Sequence, residues 1–199
     1  MKPNRIYQGD CLELMKGLKD NSIDMVMTSP PFKQEDVQGD YWEFYDSFFK
    51  ECSRVCGKVL IIIHSATKLN HLIREYPPHR VLVWAKGFSH YSYRWNPILV
   101  YQMDDGYKVN RRIWSDCYNA QSLVGDGKKH KYQDPVELYK LIIGMFKECD
   151  LVLDPFIGSG TTALACKRLN RKFIGFEIDP ESVKIANRRL AQTQLHTES

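Results

Sequence analysis

The sequence predicts an α/β protein: a doubly wound, mostly parallel seven-stranded sheet with one antiparallel strand. Three observations predict it. Short segments rich in Val, Ile and aromatic residues alternate with stretches whose apolar residues recur every three or four positions, the pattern of strands joined by crossover helices. Loops rich in Gly and Pro directly follow strand-like segments, where sheets of this kind open their ligand crevices. One pair of strands is separated by only about a dozen residues, too few for a crossover helix, so those two must pair antiparallel.

Arg5–Gln8 and Ile23–Thr28 read as the first two strands. The second must stop at Ser29, because Pro30 and Pro31 cannot continue a central strand and hold the preceding residue extended. Residues 33–40, polar and Gly-containing, read as a mobile flap. Tyr41, Tyr45, Phe48, Cys52 and Val55 then recur at helical spacing, marking an amphipathic helix. Residues 58–64, 80–84 and 98–103 read as strands, the last two being the antiparallel pair. Leu138, Leu141, Ile142, Met145 and Phe146 mark another helix, residues 151–153 a strand, and Lys172–Glu177 the seventh strand. A helix starts between those last two at Thr161 or Thr162, and Pro180 suits the first turn of a final helix, Pro180–Gln192.

With 199 residues and 43% hydrophobic content, the chain reads as one globular domain with a real core. Its longest aliphatic run, residues 59–63, is far too short to span a bilayer, so the expectation is a soluble, cytoplasmic protein with no membrane partner. The six cysteines (Cys11, Cys52, Cys56, Cys117, Cys149, Cys166) show no repeated short spacing; Cys52 and Cys56 read as one helix face, and neither disulfide nor metal is expected. Net charge is +4, and residues 107–132 carry six basic residues against two acidic ones. This segment reads either as a phosphate-binding surface or as a solvated loop.

The most informative stretch is LVLDPFIGSGTTALACKRLNRKFIGFEIDP, residues 151–180. A strand ends in Asp154, a loop Gly158-Ser159-Gly160 follows, then a helix, and then a strand that ends in Glu177. Glycines at such a turn let backbone approach a bound molecule closely. Glu177 falls at the end of the adjacent strand, where a carboxylate can take both hydroxyls of a ribose. The third glycine of the dinucleotide fingerprint is missing, as is a Gly-Lys-Thr for a triphosphate. Asp154 would repel phosphate and attract an ammonium group. S-adenosyl-L-methionine, with an amino-acid ammonium, a ribose and an adenine, matches that order of features.

DPFIGSGTT and TSPPF together resemble the two signature motifs of the DNA amino-methyltransferases, which methylate exocyclic amines of cytosine or adenine. The catalytic motif precedes the cofactor motif, as in the circularly permuted β group, and GDCLELMKGLKDNSIDMVMTSPPF and QDPVELYKLIIGMFKECDLVLDPFIGSGTT extend the similarity along most of the chain. The resemblance implies a permuted Rossmann-like methyltransferase fold. It also implies a cofactor site drawn from Asp10, Cys11, Asp154, Phe156, Gly158, Ser159, Gly160, Thr161 and Glu177. Asp10 would meet the adenine amino group, or cap the helix starting at Cys11; the two are compatible. Permuted order also expects the last helix to lie beside the first strand.

The same resemblance makes Ser29, Pro30, Pro31 and Phe32 the catalytic corner. An exocyclic amine is a poor nucleophile because its lone pair is delocalised into the ring. Two fixed acceptors, Ser29 Oγ and the Pro30 carbonyl, would bind its hydrogens and aim the lone pair, while Phe32 offers a stacking face. A base within a duplex must be flipped out to reach such a corner. Ser at the first position resembles cytosine-N4 enzymes, and adenine-N6 enzymes more often carry Asp or Asn there, so cytosine is the first reading and adenine the alternative. DNA contacts are expected from Lys86, Arg94, Lys108, Arg111, Arg112, Lys128, Lys129 and Lys131. Residues 104–133 stand as a short basic segment where larger relatives insert a target-recognition region, so recognition would be short, loose or shared in a homodimer.

Overall fold

The computed structural model describes residues 1–86, 95–104, 116–120 and 134–192. Its strands are β1 (Arg5–Gln8), β2 (Ile23–Thr28), β3 (Cys56–Ile63), β4 (Arg80–Ala85), β5 (Trp95–Gln102), β6 (Cys117–Asn119), β7 (Leu151–Asp154) and β8 (Lys172–Glu177). Its α-helices are α1 (Cys11–Met15), α2 (Tyr41–Val55), α3 (Leu69–Glu75), α4 (Val136–Met145), α5 (Thr161–Arg168) and α6 (Pro180–Gln192). Among the described residues the strands form one sheet in the order β1-β8-β7-β2-β3-β5-β4-β6. Only β5 runs against the others: it pairs antiparallel with both β3 and β4, whereas the remaining neighbours are parallel.

Side-chain alternation explains why the middle of this sheet is covered on both faces. Met25, Met27, Val59, Ile61 and Ile63 pack into one core with Leu138 and Ile142 of α4 and Ala163 and Cys166 of α5. Val26, Leu60 and Ile62 point the other way, into a core with Met15 of α1 and Tyr45, Phe48 and Cys52 of α2. From β2 the chain moves outward to β3, and from β7 it moves outward in the opposite direction to β8. Right-handed crossovers therefore place α2 and α5 on opposite faces and leave a crevice between the carboxyl ends of β2 and β7. At the other end of those strands, Asp24 Oδ2 accepts from the backbone N–H of Asp150 (3.0 Å) and of Leu151 (2.9 Å), and Asp24 Oδ1 pairs with Lys58 Nζ at 2.8 Å. One carboxylate thus pins the start of β7 to β2.

β1 lies parallel to β8, with Gln8 beside Glu177, and α6 packs against β1. This is the adjacency the permuted order expects. Among the described residues no helix is long and apolar enough to cross a membrane.

The structure departs from the sequence reading in four places. β6 adds an eighth strand; at three residues, held only by parallel pairing to β4, it is too short to show a period. β5 begins at Trp95 rather than residue 98, because Pro97 sits one register step past the end of β3, where its carbonyl accepts from His64 N–H at 3.0 Å. Its missing N–H therefore costs no bond within the β3 ladder. Cys56 is not on the helix with Cys52: α2 ends at Val55 and Cys56 starts β3. Leu141 faces outward, 47% exposed, while Tyr139 and Ile143 take the buried positions of α4.

Candidate active site

The glycine loop is held by polar side chains before any ligand is considered. Asp154, at the end of β7, is 3% exposed. Its Oδ1 accepts from Thr28 Oγ1 (2.7 Å) and from Phe156 N–H (3.0 Å), and its Oδ2 accepts from Thr162 Oγ1. The last residue of β2, the glycine loop and the first turn of α5 are thereby tied to one carboxylate. Burial pushes its pKa up to about 6, against the pull of Thr162, Thr28 and the Phe156 amide. The carboxylate that the sequence assigns to an ammonium group is thus engaged by three protein donors.

Glu177 holds the loop from its other side. Its Oε2 accepts from Gly158 N–H and its Oε1 from Asp179 N–H, both at 2.9 Å. Ser159 is buried, and Arg189 Nη1 of α6 donates to its carbonyl (2.5 Å) and hydroxyl (2.8 Å). Thr161 Oγ1 donates to the Asp134 carbonyl at 3.2 Å. The two glycines do different work. Gly160 has φ +85°, and a Cβ there would stand 3.0 Å from Ala186 Cβ and 3.3 Å from its Cα, so this glycine permits α5 and α6 to approach. Gly158, at φ +48°, would point a Cβ into open space, with only the Phe156 carbonyl within reach at 3.9 Å. Gly158 is therefore the position that faces away from protein, at the rim of the crevice. A third glycine, Gly175 of β8, lies directly under Ile157: a Cβ there would fall 2.3 Å from Ile157 Cδ1.

Asp10 stands at the same rim, two residues past the end of β1, beside Glu177: Gly9 N–H donates to the Glu177 carbonyl at 2.9 Å. Asp10 caps α1 through Oδ1, which accepts from Leu12 N–H (2.8 Å) and Glu13 N–H (3.1 Å). The capping role weighed from sequence is thus present. Cys11 is buried, and burial, reinforced by Asp10, pushes its thiol up to about 12. It is a neutral wall. Phe156 is half-buried against Phe48 (ring centroids 5.3 Å) and Phe44 (6.1 Å).

Across the crevice, β2 delivers Ser29, Pro30, Pro31 and Phe32. The Ser29 side chain lies near the hydroxyl of Tyr139 on α4. Tyr139 gives its single hydrogen to Asp134 Oδ2 at 2.9 Å. Pro31 is held from α2, where Tyr41 Oη donates to its carbonyl at 2.9 Å. Tyr41 Oη lies 2.8 Å from Nε2 of His64, which is fully buried just past the end of β3. Phe32 rests against the His64 ring, centroids 5.0 Å apart at 34°, and Lys68 Nζ sits 4.0 Å from the Tyr41 ring centroid. Residues 33–40 are stitched by one side chain: Gln34 Nε2 donates to the Gly39 carbonyl at 2.5 Å, and Gln34 Oε1 accepts from Tyr41 N–H at 3.0 Å.

Tyr139, Tyr41, His64 and Arg189 were not singled out from sequence. Tyr41 reads only as an apolar helix position, Tyr139 is not among the periodic residues of its helix, and no local spacing announces what their hydroxyls meet. Of the residues expected to contact DNA, Lys86 is described, with Nζ 4.8 Å from the centroid of the Trp84 ring at the end of β4; Arg94, Lys108, Arg111, Arg112, Lys128, Lys129 and Lys131 lie outside the described residues. Among the described residues no cluster of three or more His, Cys, Asp or Glu could hold a metal ion. A cleft of about 550 Å³ beside Asn4, Arg171, Lys172 and Asn187 opens at the amino-terminal ends of β1 and β8 and contains no residue of either motif.

Known proteins resemble this chain in sequence and in fold. A family model described as DNA methylase, covering N6 and N4 enzymes, matches residues 23–188. The type II methyltransferase M.HinfI of Haemophilus influenzae is 26% identical over 247 residues, covering 95% of this chain and 68% of that protein. M2.LlaDCHI of Lactococcus lactis subsp. cremoris is 37% identical over 114 residues, 55% of this chain and 40% of its own length. Among solved structures, the PvuII DNA methyltransferase (cytosine-N4-specific) superposes with a TM-score of 0.78 at 23% identity, covering 94% of this chain and 88% of that one. The M1.HpyAVI–SAM complex superposes with a TM-score of 0.71 at 25% identity, covering 93% of this chain and 98% of that one. The family match takes in both motifs and the β2–β7 junction between them: this chain belongs to the DNA methylase family of N6 and N4 amino-methyltransferases.

Proposed function

We propose that this protein transfers a methyl group from S-adenosyl-L-methionine to the exocyclic amine of a base flipped out of DNA, cytosine N4 being the first reading and adenine N6 the second. The observation that carries it is the junction of the two motifs: Thr28 of TSPPF and Asp154 of DPFIGSGTT share a hydrogen bond of 2.7 Å across adjacent strands. The residues at the rim fit the cofactor. Gly158 leaves a cradle that a side chain would fill, Glu177 and Asp10 present carboxylates on adjacent strand ends for ribose hydroxyls and an adenine amine, and Phe156 adds an apolar wall. Bound there, S-adenosyl-L-methionine would supply an electrophilic methyl on a sulfonium.

The protein's own work is alignment. Asp154, Ser159, Gly160 and Thr161 keep the loop in shape, and Cys11 closes the wall. Ser29 Oγ and the Pro30 carbonyl accept the two amine hydrogens, which localises the nitrogen lone pair and aims it at the methyl. Phe32 stacks on the extruded base, offsetting roughly 1–3 kcal/mol of the flipping cost. The preference for cytosine rests on Ser29 at the first position of the motif. Cations of residues 104–133, with Lys86 and Arg94, would contact phosphates, alone or across a homodimer. Mass spectrometry of nucleosides from DNA incubated with enzyme and labelled cofactor tests this reading. N4-methylcytosine is expected, N6-methyladenine would select the second reading, and only unmodified nucleosides with intact cofactor binding would overturn both.

A further inference from the structure

We infer that Tyr41 and His64, which lie outside both motifs, are positioning residues for methyl transfer: they set the direction of the Ser29–Phe32 corner by holding the Pro31 carbonyl. The inference rests on the proposed reading of that corner.

The argument begins with the freedom the prolines leave. Pro31 has φ locked by its ring, and the Pro30 carbonyl lies in the peptide plane that ends at the Pro31 nitrogen. One soft dihedral, ψ of Pro31, therefore relates the Pro30 carbonyl to the Pro31 carbonyl. The Tyr41 hydroxyl, 2.9 Å from the Pro31 carbonyl oxygen, fixes that dihedral from a helix whose Tyr41, Tyr45, Phe48, Cys52 and Val55 are all buried. The two prolines make the corner stiff, and Tyr41 decides where the stiff unit points.

His64 decides what Tyr41 can do. Ser65 N–H donates to His64 Nδ1 at 2.7 Å, which assigns the ring proton to Nε2. Nε2–H then donates to Tyr41 Oη at 2.8 Å, leaving the single Tyr41 hydrogen for the Pro31 carbonyl. The chain Ser65 N–H, His64, Tyr41, Pro31 C=O has one direction only. An imidazolium would break it, because Nδ1 would become a donor facing the Ser65 N–H. The surroundings keep the ring neutral: burial and, beyond it, the Lys68 charge bring its pKa down to about 3, and its other ring neighbours are Tyr45, Tyr41 and Phe32. The same imidazole is the surface on which Phe32 rests, so one buried residue orients both the acceptors and the stacking ring.

The test compares Tyr41→Phe, His64→Leu, His64→Gln and Ser29→Ala for single-turnover methyl transfer, cofactor affinity and thermal midpoint. Tyr41→Phe is expected to lower the transfer rate by about tenfold or more with cofactor affinity near wild type and a lowered midpoint, since His64 Nε2–H and the Pro31 carbonyl lose their partner. His64→Leu should fall as far, and His64→Gln, whose amide can still donate to Tyr41, should be several-fold faster than His64→Leu. A Tyr41→Phe rate within about twofold of wild type, with Ser29→Ala impaired, overturns this inference alone. Full activity in Ser29→Ala overturns the reading of the corner itself. Should Tyr41→Phe unfold, the His64 pair decides: equal rates in His64→Gln and His64→Leu would mean packing only and overturn the inference.

Discussion

The two walls of the crevice are built by different means. On the proposed cofactor side the signature residues do much of the holding: Asp154 ties Thr28, Phe156 and Thr162, while Glu177 of β8 ties Gly158 and Arg189 of α6 ties Ser159. On the proposed catalytic side the signature supplies the acceptors and the ring, and residues outside it supply the support: Tyr41 and His64 for Pro31 and Phe32. The loop proposed to close around a flexible cofactor carries its central tie, Asp154, within its own motif. A corner that must aim at one atom borrows rigidity from the cores beneath it.

The largest effect that would break this comparison comes from Asp154. Asp154→Ala strands three buried donors and should cost roughly 3 kcal/mol of stability or more, measured by chemical denaturation. Asp154→Asn, isosteric and able to reorient Thr162, should lose much less. If Asp154→Ala were as stable as wild type, the carboxylate would not be the tie described. Next comes Gly158→Val, which fills the cradle without meeting protein. Cofactor affinity measured by calorimetry should fall by more than about tenfold, although φ +48° adds some strain. Gly160→Val should instead unfold or loosen the α5–α6 contact, since its Cβ meets Ala186.

The smallest effect sharpens the comparison through pH. Asp154 titrates near pH 6 in the folded protein against an ordinary value of 3.8, so its stabilising share is complete below about pH 4 and is lost as pH rises through 6. His64 is the reverse. Its pKa falls from 6.5 to about 3, so its share is present above 6.5 and is lost as pH falls toward 3. Thermal midpoints between pH 6 and pH 4 should therefore drop more steeply in Asp154→Asn than in wild type, and less steeply in His64→Gln. Parallel pH profiles in all three proteins would contradict these assignments.

Much of this was legible in the chain because local chemistry and final structure agree. β2 ends where Pro30 forbids continuation, α6 starts on Pro180, and the periodic residues of α2 are the ones buried. The meeting of TSPPF with DPFIGSGTT follows once β2 and β7 are the strands that flank the reversal of strand order, which the sheet order shows. Features that depend on a distant partner were not legible. β6 exists through β4, Gly160 is required by Ala186 of another helix, and Tyr41 finds His64 across 23 residues of sequence. Each side chain looks ordinary until the fold supplies its neighbour.

The central claim is that these two walls form one site with separable tasks, and Ser29→Ala tests it most directly. Single-turnover methyl transfer to DNA, measured beside cofactor affinity on the same protein, should fall at least about tenfold while affinity stays near wild type. Transfer at the wild-type rate, or an equal loss of affinity, would contradict the account.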